Sequence, residues 1–203
     1  MFTGIVETLG LVKGWRRRAR RAPLLEIRSA PIARRARIGG SLSVNGACLT
    51  VTKKSGASLF FNVIGETKAR TTLGSLKAGD RACLERPLKW SGRIEGHFVQ
   101  GHVDGVGEVR RVLSKGSEKS FLISCPRRLK PFLIEKGSVA VDGTSLTVGK
   151  VSSGAFWVHC IPHTLRLTNF GRYRAGSRVN LEADILLKSR RWVGKVDKPA
   201  RRV

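Results

Sequence analysis

Carboxylates are scarce in this sequence. Its 203 residues hold 14 Asp and Glu against 39 Lys and Arg, a formal charge of +25. The excess is +13 over residues 1–97 and +12 over residues 98–203, so it is not a basic tail added to a neutral domain. Such a surface attracts polyanions with an affinity that falls steeply with salt. Long apolar runs are also missing: none nears the roughly 18 residues of a spanning helix. The opening Met-Phe-Thr-Gly-Ile-Val lacks the basic-then-apolar order of a secretory signal, and a cytoplasmic, non-membrane protein is expected. The four cysteines, Cys48, Cys83, Cys125 and Cys160, form no Cys-x-x-Cys pair. That argues against a disulfide framework or a zinc site and for reduced thiols. Aromatic residues make up only 6% and sit mainly in apolar stretches, unlike the exposed platform of RNA-binding barrels. The densest basic run, residues 15–21, reads as a solvated loop, with a nucleic-acid patch as the competing reading. Incidental polyanion binding is expected of the charge as a whole.

What the chain does have is a repeat. Residues 40–51, Gly-Ser-Leu-Ser-Val-Asn-Gly-Ala-Cys-Leu-Thr-Val, return at 137–148 as Gly-Ser-Val-Ala-Val-Asp-Gly-Thr-Ser-Leu-Thr-Val. The offset is 97, and it holds without insertion elsewhere. Gly4 falls on Gly101, Val6 on Val103, Thr67 on Thr164, Gly74 on Gly171, and Leu84-Glu85 on Leu181-Glu182. Register kept across separate blocks indicates internal duplication. The chain divides into a unit over 1–97, a second over 98–184, and a remainder over 185–203.

Each unit reads as short strands punctuated by turns, the pattern of a small β-barrel. In the first unit, strands are expected over 2–12, 24–27, 41–44, 48–52, 58–64 and 80–85. Helical turns are expected over 30–37 and 66–73. Asn45-Gly46 and Asp142-Gly143 are strong hairpin signals. The second unit repeats the plan with strands over 101–112, 121–124, 139–141, 145–148, 155–161 and 178–181. Short helices are expected over 127–134 and 164–170, and a last one over 185–193.

Positions that a duplicated fold keeps serve the fold or a shared ligand. Those that change are candidates for separate tasks. Shared hydroxyls occur at Ser41 and Ser138, Thr50 and Thr147, and Thr67 and Thr164. They line two like pockets or satisfy local backbone. The differences are sharper: Cys48 against Ser145, Ile5 against His102, Glu66 against His163, Gly39 against Lys136, and Pro87 against Asp184. The second copy thereby gains a hydroxyl, two imidazoles, an ammonium and a carboxylate, groups suited to proton transfer and addition. His97, in the linking run, adds another imidazole.

These blocks resemble the riboflavin synthase family of the α-chain type, built from lumazine-binding repeats. The resemblance rests on Met-Phe-Thr-Gly-Ile-Val at 1–6, Ser-Val-Asn-Gly-Ala-Cys-Leu-Thr-Val at 43–51 and Gly-His-Phe-Val-Gln-Gly-His-Val-Asp-Gly at 96–105. It continues through 136–148, Ile-Pro-His-Thr-Leu at 161–165 and Val-Asn-Leu-Glu-Ala-Asp at 179–184. It implies an all-β fold of two tandem six-stranded Greek-key barrels with a short C-terminal helix. It also implies a homotrimer in which the first barrel of one subunit faces the second barrel of another. The implied activity is that of a transferase in riboflavin biosynthesis. Two 6,7-dimethyl-8-ribityllumazine molecules exchange a four-carbon unit, giving riboflavin and 5-amino-6-ribitylamino-uracil, with no metal or organic cofactor.

By the same resemblance, Phe2, Thr3, Ser41, Cys48 and His102 match catalytic positions. Ser145 and Asp184 match a hydroxyl–carboxylate pair that assists addition at the pteridine ring. His102 is the candidate for moving the proton of the ring methyl group. The first pocket is expected from Gly4, Ile5 and Val6, from Cys48, Leu49 and Thr50, and from Asn62, Val63, Ile64, Gly65, Glu66 and Thr67. The second is expected from Gly101, His102 and Val103, from Lys136, from Ser145, Leu146 and Thr147, and from Ile161, Pro162, His163, Thr164, Leu165 and Arg166. Lys68 departs from the family, which usually has an apolar residue there. The competing function is a non-catalytic lumazine- or flavin-binding protein of the same fold.

Overall fold

The computed structural model describes residues 1–18 and 21–189. Six strands form the first half: β1 (Thr8–Arg18), β2 (Arg21–Arg28), β3 (Ser41–Val44), β4 (Ala47–Ser55), β5 (Ser58–Asn62) and β6 (Arg81–Glu85). They close in the order β1-β2-β5-β4-β3-β6, with Thr8 of β1 opposite Leu84 of β6. The second half repeats this ring with β7 (Gly105–Lys115), β8 (Glu118–Ser124), β9 (Ser138–Val141), β10 (Thr144–Ser152), β11 (Ala155–Cys160) and β12 (Arg178–Ala183). Closure leaves no sheet edge unpaired. Within the repeats the described residues form three short helices, α1 (Ala30–Arg35), α2 (Gly65–Arg70) and α3 (Pro162–Leu167).

Alternation along the strands fills each barrel. In β5, Leu59 and Phe61 point inward and are fully buried, between Ser58, Phe60 and Asn62 that do not. The first core gathers Val12, Leu25, Ile27, Leu42, Val51 and Leu84 around Phe61. The second gathers Val109, Ile123, Val139, Val158 and Leu181 around Phe121, Phe156 and Phe170.

Several local expectations shift. The first strand begins at Thr8, not at residue 2. Gly4 has φ +78, and Phe2 makes only a lone bridge to Val99. The start of the Arg-rich run is not a loop: β1 continues into it as far as Arg18, with Trp15 opposite Leu25 and Arg16 opposite Leu24, and β2 begins at Arg21; residues 19–20 lie outside the described residues. Barrel pairing satisfies the backbone whatever the charge outside, and Trp15 Nε1 donates to Leu76 O at 3.1 Å. The expected helix over 66–73 stops at Arg70. Thr71 is extended and its hydroxyl accepts from Leu73 N, starting a 3₁₀ turn; Thr168 does the same for Phe170. Pro131 reduces the helix expected over 127–134 to a 3₁₀ turn at Lys130–Phe132. Residues 185–189 are helical, capped by Asp184 Oδ1, which accepts from Leu186 N at 2.9 Å. The remainder of that expected helix, 190–193, lies outside the described residues.

The two barrels meet about an approximate two-fold relation. Asn45 and Asp142 have φ +45, Gly46 and Gly143 φ +75 and +77, the values of a type I′ turn. The two turns then abut: a Cβ on Gly46 would lie 2.6 Å from Gly143 N, and one on Gly143 2.8 Å from Gly46 N. Asn180 Nδ2 donates to Asn45 O at 2.7 Å, and Thr72 N donates to Asn180 Oδ1 at 2.7 Å. Asp142, buried, accepts from Asn180 N and from the Tyr173 hydroxyl, and burial pushes its carboxyl up to about 7.

Candidate substrate site

Strand β10 and the turn before β9 build a cavity of about 480 Å³ on the second barrel. Lys136, Ser145, Leu146, Thr147 and His159 line it, with Glu135 and Lys150 at its rim. Thr147 stands opposite Ser138, so two of the shared hydroxyl positions are neighbours. The first barrel repeats this with Thr50 opposite Ser41. Lys136 takes the left-handed backbone, φ +67, where the first copy has Gly39 at φ +81. A lysine held there costs about 1–2 kcal/mol; such strain collects at functional positions.

Ser145 is gripped from both sides. Its N–H donates to Gly4 O at 2.8 Å. Its Oγ lies 2.7 Å from Nδ1 of His97, and the backbone N–H of His97 donates to Thr3 O at 3.1 Å. His97 is buried, and its Nε2 has no hydrogen-bond partner among the described residues. Burial lowers its pKa below the ordinary histidine value, while the Asp184 charge pulls the other way. The imidazole is therefore neutral at neutral pH and free to accept the Ser145 proton. Gly96 permits this approach: a Cβ there would meet Thr3 O at 2.1 Å and Ser145 Cβ at 2.8 Å.

The mirror-image contact is made at Cys48, whose N–H donates to Gly101 O at 2.8 Å. The half-buried thiol packs against Phe2, Val99 and Ala140. Two buried carboxylates hold the segments that cross. Glu85 accepts from Thr3 N, Thr3 Oγ1 and Gly4 N; Glu182 accepts from Gln100 N and Gly101 N. The expected grouping is thus exchanged: Gly4 lies against the second barrel's Ser145, and Gly101 against the first barrel's Cys48. Val103 packs on the first barrel's core.

Other expected site residues divide by exposure. Phe2 is fully buried and Thr3 is bound to Glu85, so both anchor the N-terminal segment. Leu49, Val63 and Leu146 are buried, whereas Ser41, Thr50, Asn62, Ile64, Gly65 and Glu66 are exposed, as are Ile161, His163 and Arg166. His102 is exposed and borders a different cavity of about 330 Å³ with Arg70, Val103, Asp104 and Arg128. Asp184 does not hydrogen-bond Ser145; its carboxylate caps the final helix and acts on His97 through its charge. Glu66 pairs with Arg70 at 3.2 Å. The unusual Lys68 stacks its ammonium 4.4 Å from the Trp15 ring. Sequence reasoning did not choose His97 or His159 for the site. His97 sits between the two copies, so comparing the repeats could not flag it; His159 stands where the first copy has Asn62. Among the described residues, no three His, Cys, Asp or Glu side chains group to hold a metal ion.

Comparison with known proteins follows the same lines. The family model for the lumazine binding domain matches twice, at residues 3–87 and 100–184. The chain is 39% identical to a riboflavin synthase of Actinobacillus pleuropneumoniae over 188 residues, 93% of this chain and 87% of that one. It is 37% identical to that of Bacillus subtilis, with the same coverage. It is 41% identical to that of Mycobacterium bovis over 192 residues, 93% of this chain and 95% of that one. Among solved structures it resembles LumP complexed with riboflavin, with a TM-score of 0.82 and 25% identity over 90% of this chain and 99% of that one. LumP with 6,7-dimethyl-8-(1'-D-ribityl) lumazine superposes with a TM-score of 0.80 at 24% identity, over the same shares of the two chains.

Proposed function

The chain belongs to the lumazine-binding domain family in two copies, and from that premise we propose that it is a riboflavin synthase. It converts two 6,7-dimethyl-8-ribityllumazine molecules into riboflavin and 5-amino-6-ribitylamino-uracil by transfer of four carbons. The observation that carries this reading is the Ser145–His97 pair, 2.7 Å apart at the edge of a lined cavity. A hydroxyl beside a neutral, buried imidazole can add to an electron-poor ring, or direct water to it, while the imidazole takes the proton. Asp184 then stabilises the imidazolium by its charge. Lys136 lines the same cavity and supplies positive charge to an anion developing on the pteridine. Cys48 and His102 are the corresponding candidates toward the second lumazine.

The Ser145 cavity draws its lining from the second barrel alone. In our reading the second ring is carried by the first barrel of another chain, in a homotrimer pairing first and second barrels. Holding both rings at reacting distance contributes up to about 7–11 kcal/mol to lowering the barrier. Exposed Ile64 and Ile161 offer apolar contact at such a junction. The four free thiols fit the reducing cytoplasm.

The test is incubation with the lumazine alone. Yellow-green riboflavin fluorescence should grow with time, matched by equimolar release of the uracil. The LumP likeness favours a second reading, a carrier that binds lumazine without turning it over. Tight lumazine binding with no riboflavin formed would establish the carrier in place of the enzyme.

A further inference from the structure

Within residues 8–65 the chain holds twelve lysines and arginines and a single carboxylate, Glu26. The equivalent span of the second barrel, 105–162, holds nine against four. Glu26 is buried, ion-paired with Arg16, and accepts from Ser58 Oγ at 2.7 Å. It is neutralised within the face it belongs to.

Of the cations whose side chains are described, Arg28 of β2 and Lys53 of β4 are exposed on either side of β5. Arg28 and Ser55 both stand opposite Ser58; Glu26 and Lys53 both stand opposite Phe60. Helix α1 is tied alongside by Lys54 Nζ donating to Ala36 O at 2.6 Å, and it brings the exposed Arg34 and Arg35. At the centre lies a cavity of about 720 Å³, lined by Leu24, Lys53, Phe60, the Arg16–Glu26 pair and the hydroxyl-bearing Thr52, Ser55 and Ser58. Phe60 is half-buried, with the Lys53 ammonium 5.4 Å from its ring centre. None of these residues belongs to the Ser145 site or to the expected lumazine pockets.

We propose that this face of the first barrel binds single-stranded nucleic acid. Phosphates are held by Arg28, Arg34 and Lys53, and a base enters the cavity against Phe60. Cations along a groove track a polyanion without reading sequence, and an aromatic side chain accepts the face of any base. The concavity is what favours a nucleic acid over a lipid surface: a flat sheet of head groups cannot reach Phe60, whereas a splayed base can. This activity is separate from the lumazine chemistry.

The test is fluorescence anisotropy of a labelled single-stranded RNA oligonucleotide titrated with the full chain at several salt concentrations. Affinity should fall linearly on a log–log plot against salt. Reversing three exposed cations, R28E/R34E/K53E, should lower that slope by about 2, at about 0.7 for each phosphate contact. Phe60→Ala should weaken binding roughly tenfold at fixed salt. The control R110E/R111E/K115E makes the same charge change on β7, and it should cost markedly less. Riboflavin formation should be unaltered in all three, which shows that they are folded. The proposal is overturned if the β7 triple weakens binding as much as the first, or if Phe60→Ala changes nothing. It is equally overturned if phosphatidylglycerol vesicles bind more tightly per phosphate than the oligonucleotide.

Discussion

Replacing Gly46 by alanine separates two demands that one glycine meets. The first is local: φ +75 costs an L-residue about 1–2 kcal/mol. The second is the neighbouring barrel. The new methyl would stand 2.6 Å from Gly143 N, a backbone atom, about 1 Å inside ordinary contact. Neither turn can yield alone, so the barrels must part. The junction bond from Asn180 Nδ2 to Asn45 O, now 2.7 Å, would then stretch past hydrogen-bonding range. Losing it and its companion Thr72 N to Asn180 Oδ1 costs about 0.5–1.5 kcal/mol each. Gly56 is the control: its φ is +54, yet a Cβ there meets nothing within 4 Å. Gly56→Ala should therefore destabilise by the local 1–2 kcal/mol alone. Gly46→Ala should exceed it by about 1–3 kcal/mol, read as the difference in urea unfolding free energy. Equal losses in the two variants would refute the abutting turns.

Three further outcomes follow from the junction and the site. Asp142 should make stability fall as pH rises. Its carboxyl is raised from 3.8 to about 7 by burial, so the folded state holds a proton that the unfolded state has released. The loss begins above 3.8, is complete above about 7, and is bounded by about 4 kcal/mol. Asp142→Asn should lessen the fall of Tm with pH between those limits, the buried Glu85, raised to about 6, keeping part of it; Asn is what the first barrel carries at residue 45. Ser145→Ala and His97→Gln should each reduce kcat by roughly 10²–10⁴-fold while lumazine binding, followed by fluorescence quenching, changes little. Since burial lowers the His97 pKa, wild-type turnover should hold through neutral pH and fall only below the ordinary histidine range. Phe2→Ala empties a fully buried place between the barrels and should cost about 3–5 kcal/mol in chemical denaturation.

The sequence alone determined the duplication, the two hairpin turns and the barrel class. These follow from short-range rules: Asn45-Gly46 and Asp142-Gly143 demand left-handed backbone wherever they occur, and alternation of two marks a strand with one face inward. The shared hydroxyls, Ser41 with Ser138 and Thr50 with Thr147, were legible from the repeat, while their facing each other across each hairpin came from the strand register. The sequence reading missed the strand at the start of the Arg-rich run, residues 15–18, because an exposed charge such as Arg16 on a strand's outer face looks like a loop when the pairing partner is unseen. Only the tertiary structure decided that Gly4 lies on Ser145 and Gly101 on Cys48, that His97 reaches the Ser145 hydroxyl, and that Gly46 and Gly143 face each other. Those contacts join segments 48 to 141 residues apart, and all but the His97–Ser145 pair run through backbone atoms. Main-chain N–H and carbonyl groups are the same at every position, so no choice of side chain announces which of them will meet.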